Sequence, residues 1–136
     1  MIHSTKVGDY KFPGGGVDQD ESHEQALVRE VKEECGMSLL HVDHEICRVI
    51  EYDLPMEQEY DAFKMTSYYY QCEVQDGFGS QKLDDYEVNL GFEPVWINLD
   101  QAMGLNKVLL NVPHPPKWLD REVLVLEYLK RKLLHL

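Results

Sequence analysis

Glu30, Glu33 and Glu34 stand at positions i, i+3 and i+4, with Arg29 just before them and a glycine run, Gly14 to Gly16, upstream. Side chains at that spacing share one side of a helix. Carboxylates so placed repel one another by a few tenths of a kcal/mol per pair when exposed, and by more where water is partly excluded. A fold gains nothing from this arrangement by itself. A site for a hard divalent cation does, because Mg2+ and Mn2+ take oxygen ligands and offset the charge.

The positions around the triad form a longer pattern, G-x5-E-x7-R-E-U-x-E-E-x-G-U, where U is a bulky aliphatic residue. It is filled by Gly15, Glu21, Arg29, Glu30, Val31, Glu33, Glu34, Gly36 and Met37, and is led in by Phe12-Pro13-Gly14. Met37 replaces the usual branched aliphatic in the same apolar role. The pattern resembles the signature of the Nudix hydrolases. The resemblance implies hydrolysis of a pyrophosphate bond in a nucleoside diphosphate linked to another group, such as a nucleoside triphosphate or a nucleotide sugar. It also implies Mg2+ or Mn2+ held by Glu30, Glu33, Glu34 and the backbone carbonyl of Gly15. Arg29 is expected to hold neighbouring carboxylates in fixed rotamers through its planar guanidinium, and Glu21 to support them from behind. For the general base a signature glutamate competes with one on a distant loop. Glu87 is the preferred distant candidate, with Glu93 and Asp85 behind it. The rival reading keeps the family but not the chemistry: a catalytically silent module that binds a nucleotide.

The helix that must carry the triad has legible ends. Ser22 is a good N-cap, Gln25 three residues on completes a capping box, and Gly36 suits the left-handed position after the last turn. Leu27, Val28, Val31 and Cys35 form an apolar stripe. At about 100° per residue the three glutamates fall beside it, so the helix can bury one flank and show its carboxylates to a cleft. Two strands rich in β-branched and aromatic residues follow, about Glu45 to Tyr52 and Phe63 to Val74, separated by the acidic segment Asp53 to Asp61. Gln75 to Leu90 reads as a long loop. Glu93 to Leu99 reads as a strand, with Asp100 capping a short helix. Pro113-His114-Pro115-Pro116 is a rigid connector, and a last helix runs from about Leu119 to Leu134.

This outline matches an α+β fold, the Nudix sandwich of a mixed β-sheet between helices, in a single domain over residues 1–136. One departure stands out. The family usually has a strand pair before the signature, and here only about a dozen residues precede the glycine loop. Either the start is truncated and the first strand is lost or cut short, or the sheet has an unusual edge, which a second copy of the chain would cover in a homodimer.

Composition narrows the partners. The chain of 136 residues has a net charge of −12, which argues against nonspecific nucleic-acid binding, since that needs a basic surface. No nucleic acid is therefore expected among its partners; a nucleotide-type small molecule is what the Nudix resemblance implies. No apolar run is long enough to span a membrane, no signal-peptide pattern opens the chain, and no membrane partner is expected. Cys35, Cys47 and Cys72 are odd in number and far apart. They read as free thiols in a reducing, cytoplasmic setting. Tyr68-Tyr69-Tyr70 and Trp118 read chiefly as packing residues, since alternate strand side chains face opposite ways. Pro55, Tyr52 and Tyr60 do not decide the substrate.

Overall fold

The computed structural model describes residues 1–53 and 63–134. The acidic segment beyond Asp53, with Pro55 and Tyr60 in it, lies outside the described residues. In chain order the elements are β1 (Ile2–Ser4), β2 (Tyr10–Lys11), α1 (His23–Cys35), β3 (Leu39–Asp53), β4 (Phe63–Val74), α2 (Asp85–Leu90), β5 (Phe92–Pro94), α3 (Leu99–Leu109) and α4 (Leu119–Leu133).

A three-stranded sheet in the order β2-β1-β5 forms the centre. Ile2 pairs with Lys11 on one side and with Pro94 on the other, both antiparallel. Around it lie two apolar clusters. Ile2 and Phe92 pack with Val31, Cys35 and Met37 of α1 and its exit. Met1, Tyr10 and Phe12 pack with Ala102, Met103 and Leu126 of α3 and α4. The sheet is thus sandwiched between helices, as expected for the α+β fold. Its pairings, and those of the long β3–β4 hairpin from Leu39↔Val74 to Asp53↔Phe63, are all antiparallel among the described strands. Fully buried Ile2 contributes roughly 1.5–3 kcal/mol.

A strand pair does precede the glycine loop. β1 has both edges paired inside the chain, and the outer edge of β2 is closed by a side chain. The buried amide of Asn106 on α3 accepts from Tyr10 N at 2.9 Å and donates to Tyr10 O at 2.8 Å. The edge that a second copy was expected to cover is therefore occupied at Tyr10 from within.

Helix α1 has the expected ends. Ser22 Oγ accepts from Gln25 N at 3.1 Å, Gln25 Oε1 accepts from Ser22 N at 2.8 Å, and Gly36 adopts φ +66°. Its apolar stripe is narrower than the sequence suggests: Val31 and Cys35 are buried, but Val28 is 45% exposed. Three other boundaries differ. β3 begins at Leu39, well before Glu45; β5 stops at Pro94; and the cap of α3 is Asn98, not Asp100, with Asn98 Oδ1 accepting from Asp100 N and Gln101 N. The expected loop after Val74 contains the short helix α2.

Candidate active site

Arg29 organises the acidic side of α1. Its Nε and Nη2 donate to the two oxygens of Glu21 at 2.9 Å each, a bidentate pair. Nη1 donates to Glu30 Oε1 at 2.9 Å, and Nη2 also reaches Gly16 O at 2.9 Å. Glu33 Oε2 lies 3.5 Å from Nη1 and Asp18 Oδ2 3.5 Å from Nε. One guanidinium therefore ties the glycine loop to the helix and fixes Glu21 and Glu30. It holds the Glu21 carboxyl well down, at about 2, and Glu21 in turn raises Arg29 above its ordinary value.

Glu34 is set deeper and is fully buried. Oε1 accepts from Gly14 N at 2.9 Å, and Oε2 from Lys11 Nζ at 3.2 Å. Burial pushes its carboxyl up to about 7, more than Lys11 and Gly14 pull it down. Gly15 explains the need for glycine in the loop: a Cβ there would stand 2.7 Å from Glu30 Cδ and closer still to its Oε1. Only a bare backbone can lie so close to that carboxylate.

The last turn of a helix leaves carbonyls without partners, and here the chain after β4 supplies them. Lys82 N donates to Glu33 O at 2.7 Å, and the Gln81 side chain donates to Glu34 O at 2.7 Å and Phe92 O at 3.0 Å. Gly79 N donates to Gly36 O at 3.0 Å. This strap delivers α2 and Glu87 to the acidic side of α1. Asp84 and Glu87 form a second capping box: Asp84 Oδ1 accepts from Glu87 N at 2.9 Å, and Glu87 Oε1 from Asp84 N at 3.1 Å. Burial raises the Glu87 carboxyl, against the pull of the Asp84 N–H that binds it.

The result is a cleft of about 440 Å³ walled by the glycine loop, by Arg29, Glu30 and Glu33 of α1, by Asp84, Tyr86 and Glu87, and by Lys11, Phe92 and Arg121. Glu34 sits just behind it, against Lys11 and Gly14. The structure brings Glu87 to the signature residues. It does not do so for its two alternatives: Asp85 and Glu93 are both exposed, and neither lines the cleft. Sequence reasoning missed Lys11, Asp84 and Arg121. The spacing of Asp84 and Glu87 is a capping-box signal that could have been read; Lys11 and Arg121 carry no local signal.

The donor set suits a hard divalent cation, since Glu30, Glu33, Glu34 and the Gly15 carbonyl offer only oxygen. Among the described residues, however, no three His, Cys, Asp or Glu side chains converge closely enough to enclose one as they stand. Arg29 draws Glu30 and Glu33 to itself, and Lys11 holds Glu34. The Arg29 contacts use Oε1 of Glu30 and Oε2 of Glu33, so rotation of these side chains is what cation binding requires.

The family model of the NUDIX domain matches residues 2–121. The chain belongs to the Nudix family. Curated relatives of this Nudix chain include an RNA pyrophosphohydrolase of a Nitratiruptor species, 41% identical over 46 residues, which are 34% of this chain and 30% of the relative. Another, of Helicobacter pylori, is 40% identical over 58 residues, 41% of this chain and 37% of the relative. A third, of Erythrobacter litoralis, is 38% identical over 58 residues, 41% and 35%. The matched segment thus spans about a third of these relatives. No solved structure matches significantly. RNA in the relatives' names sits against the expectation of no nucleic acid, which rested on net charge alone. No helix among the described residues is long and apolar enough to cross a membrane.

The remaining sequence candidates are packing residues. Tyr69 OH donates to buried Glu122 at 3.0 Å, while Tyr68 and Tyr70 lie against His23. Trp118 Nε1 donates to Asp9 Oδ2 at 2.8 Å and anchors the start of α4. Cys35 is buried, and burial raises its thiol to about 11, which makes it inert at neutral pH.

Proposed function

We propose that this Nudix domain is a pyrophosphohydrolase that uses Mg2+ or Mn2+ to cleave a pyrophosphate bond in a nucleoside diphosphate linked to another group. The observation that carries the reading is the Arg29 network, which spans Glu21, Glu30 and the glycine loop and sets an acidic helix face against a cleft that also contains Glu87. Glu30, Glu33, Glu34 and the Gly15 carbonyl would hold the cation, which when bound offsets phosphate charge and lowers the pKa of water.

The chain's own residues do the rest. Arg29 keeps Glu21 in place and ties the glycine loop to α1, so the frame of the site is ordered before substrate arrives. Glu87 is the general base: its carboxylate takes a proton from the water whose oxygen bonds to phosphorus as the bridging P–O bond breaks. Asp84 N–H fixes one oxygen of that carboxylate, and the raised pKa of Glu87 makes it a better proton acceptor. The relatives' names support including RNA among the substrates. A net charge of −12 disfavours contacts along a strand, but a phosphorylated end needs only the cleft. The free thiols of Cys35, Cys47 and Cys72 support a cytoplasmic setting.

The test is product release with Mg2+ or Mn2+ across a nucleoside triphosphate, a nucleotide sugar and an RNA with a 5′-triphosphate. Metal-dependent cleavage of any one, lost in Glu87→Gln and Glu34→Gln, is the expected result. Binding of these compounds without product would instead identify a silent nucleotide-binding module.

A further inference from the structure

Three cationic side chains line the cleft, and they are not equally occupied. Arg29 spends every nitrogen on carboxylates or the Gly16 carbonyl. Lys11 is engaged by Glu34. Arg121, in the first turn of α4, is different. Among the described residues its one short hydrogen bond runs from Nη1 to Glu51 Oε1 at 3.1 Å, while Nη2 makes a looser ion pair with Glu122 Oε1 at 3.7 Å. Its Nε is buried with no hydrogen-bond partner among the described residues. The side chain is only 15% exposed, so bulk water does not readily supply the missing acceptors. A guanidinium offers five donors in a planar fork matched to phosphate; among the described residues one donor of this fork makes a short hydrogen bond, and the side chain lines the cleft.

Arg121 is also held in position. Glu122, buried beside it, accepts from Phe12 N at 3.3 Å and from Tyr69 OH at 3.0 Å, which fixes the start of α4 against the lead-in to the glycine loop. Lys11 precedes Phe12 on that lead-in, so the two cations enter the cleft from neighbouring segments. The carboxylates come from α1 and α2. Cations bound to those carboxylates would serve the two phosphates of the scissile bond, and the Arg121 fork remains for a further anionic group.

Resting on the pyrophosphohydrolase reading, we propose that Arg121 receives a third phosphate, so that the substrate carries a triphosphate, whether a free nucleoside triphosphate or a triphosphorylated RNA end, in preference to a nucleotide sugar. Nucleotide sugars offer a neutral hydroxylated ring where the triphosphate offers charge, and would leave Arg121 unsatisfied.

The experiment measures binding of imidodiphosphate and imidotriphosphate, which resist hydrolysis, by calorimetry with Mg2+. The wild type is expected to bind the triphosphate analogue at least about tenfold more tightly, the scale of one charged hydrogen-bond pair. Arg121→Gln should bring that ratio to within about threefold of unity, and Arg121→Lys, which keeps charge without the fork, should fall between. A ratio near one in the wild type, or one unchanged in Arg121→Gln, overturns the proposal. Should Arg121→Gln melt early, Arg121→Lys decides: a reduced ratio supports the assignment and an unchanged one overturns it. Turnover of a nucleoside triphosphate against a triphosphorylated oligoribonucleotide then separates the two sources. A persistent binding ratio with no turnover of either would sink the hydrolase reading while leaving Arg121 as the triphosphate contact.

Discussion

Replacing Glu34 with glutamine should make the protein more stable and nearly inactive. Raising a buried carboxyl from 4.5 to about 7 corresponds to roughly 3 kcal/mol against its ionised form. Below pH 4.5 the group is protonated in folded and unfolded chains alike, and stability is intact. Between 4.5 and about 7 the unfolded chain ionises first, so stability falls as pH rises; above 7 the loss is complete. Glutamine avoids this loss, and its carbonyl can still accept from Gly14 N. The attraction of Lys11 is already inside that figure, since the raised value is the net of burial against Lys11 and Gly14, and Lys11 Nζ keeps Phe12 O at 3.4 Å in the variant. A net gain of up to about 3 kcal/mol at pH 8 follows, or roughly 6–15 °C in melting temperature for a chain of this size. The gain should shrink toward pH 5. Mg2+ should raise the melting temperature of the wild type and not of the variant, and metal-dependent turnover should drop at least ~100-fold. Differential scanning fluorimetry at pH 5 and pH 8, with and without Mg2+, reads all but the last. A variant that melts below the wild type at pH 8, or a gap indifferent to pH, would refute the idea that this carboxylate is strained by burial and kept for a cation.

Gly15→Ala should weaken Mn2+ binding about tenfold, measured by electron paramagnetic resonance, because its Cβ would crowd the Glu30 carboxylate, whose Cδ lies 2.7 Å from that point; unchanged affinity would show that the carboxylate moves aside without cost to the cation. Glu87→Gln should lower kcat by about 10²–10⁴ with Mn2+ affinity within about twofold of the wild type, and near-normal kcat would return the base to a signature glutamate. Gly36→Ala should lower the melting temperature, since φ is +66° and a Cβ would come within 2.8 Å of Gly79 Cα; the left-handed backbone alone costs about 1–2 kcal/mol. Unaltered melting would mean the strap after β4 is loose, contrary to its hydrogen bonds.

What could be read from the chain was what is encoded locally. Ser22, Gln25 and Gly36 are neighbours of the helix they delimit, so both ends of α1 follow from the sequence. The span of β4 follows for the same reason, from its dense run of β-branched and aromatic residues. Where the deciding contact is distant, the reading slips. Val95 to Leu99 has strand composition, yet after Val95, which still exchanges backbone hydrogen bonds with Met1, Ile97 and Leu99 pack on the α3–α4 cluster instead. Asn98 and Asp100 are both good caps, and only the structure shows which one turns the chain. Val28 has helical spacing but faces out, because the buried flank of α1 is made by Ala26, Val31, Glu34 and Cys35, whereas Glu34 was expected to show its carboxylate to the cleft. In the site, the signature positions were legible as a set, whereas Lys11 and Arg121 belong to β2 and α4 and become neighbours of the acidic face only through the central sheet.

The amide of Asn106 does for Tyr10 what a whole neighbouring strand would otherwise do, answering its N–H and its C=O at once. The open side of the central sheet is thereby plugged by one functional group on an adjacent helix. Loss of that plug would leave a sticky backbone rim beside the lead-in to the glycine loop. Self-association and disturbance of the cleft beside the glycine loop would then arise together, from a position that does not line that cleft.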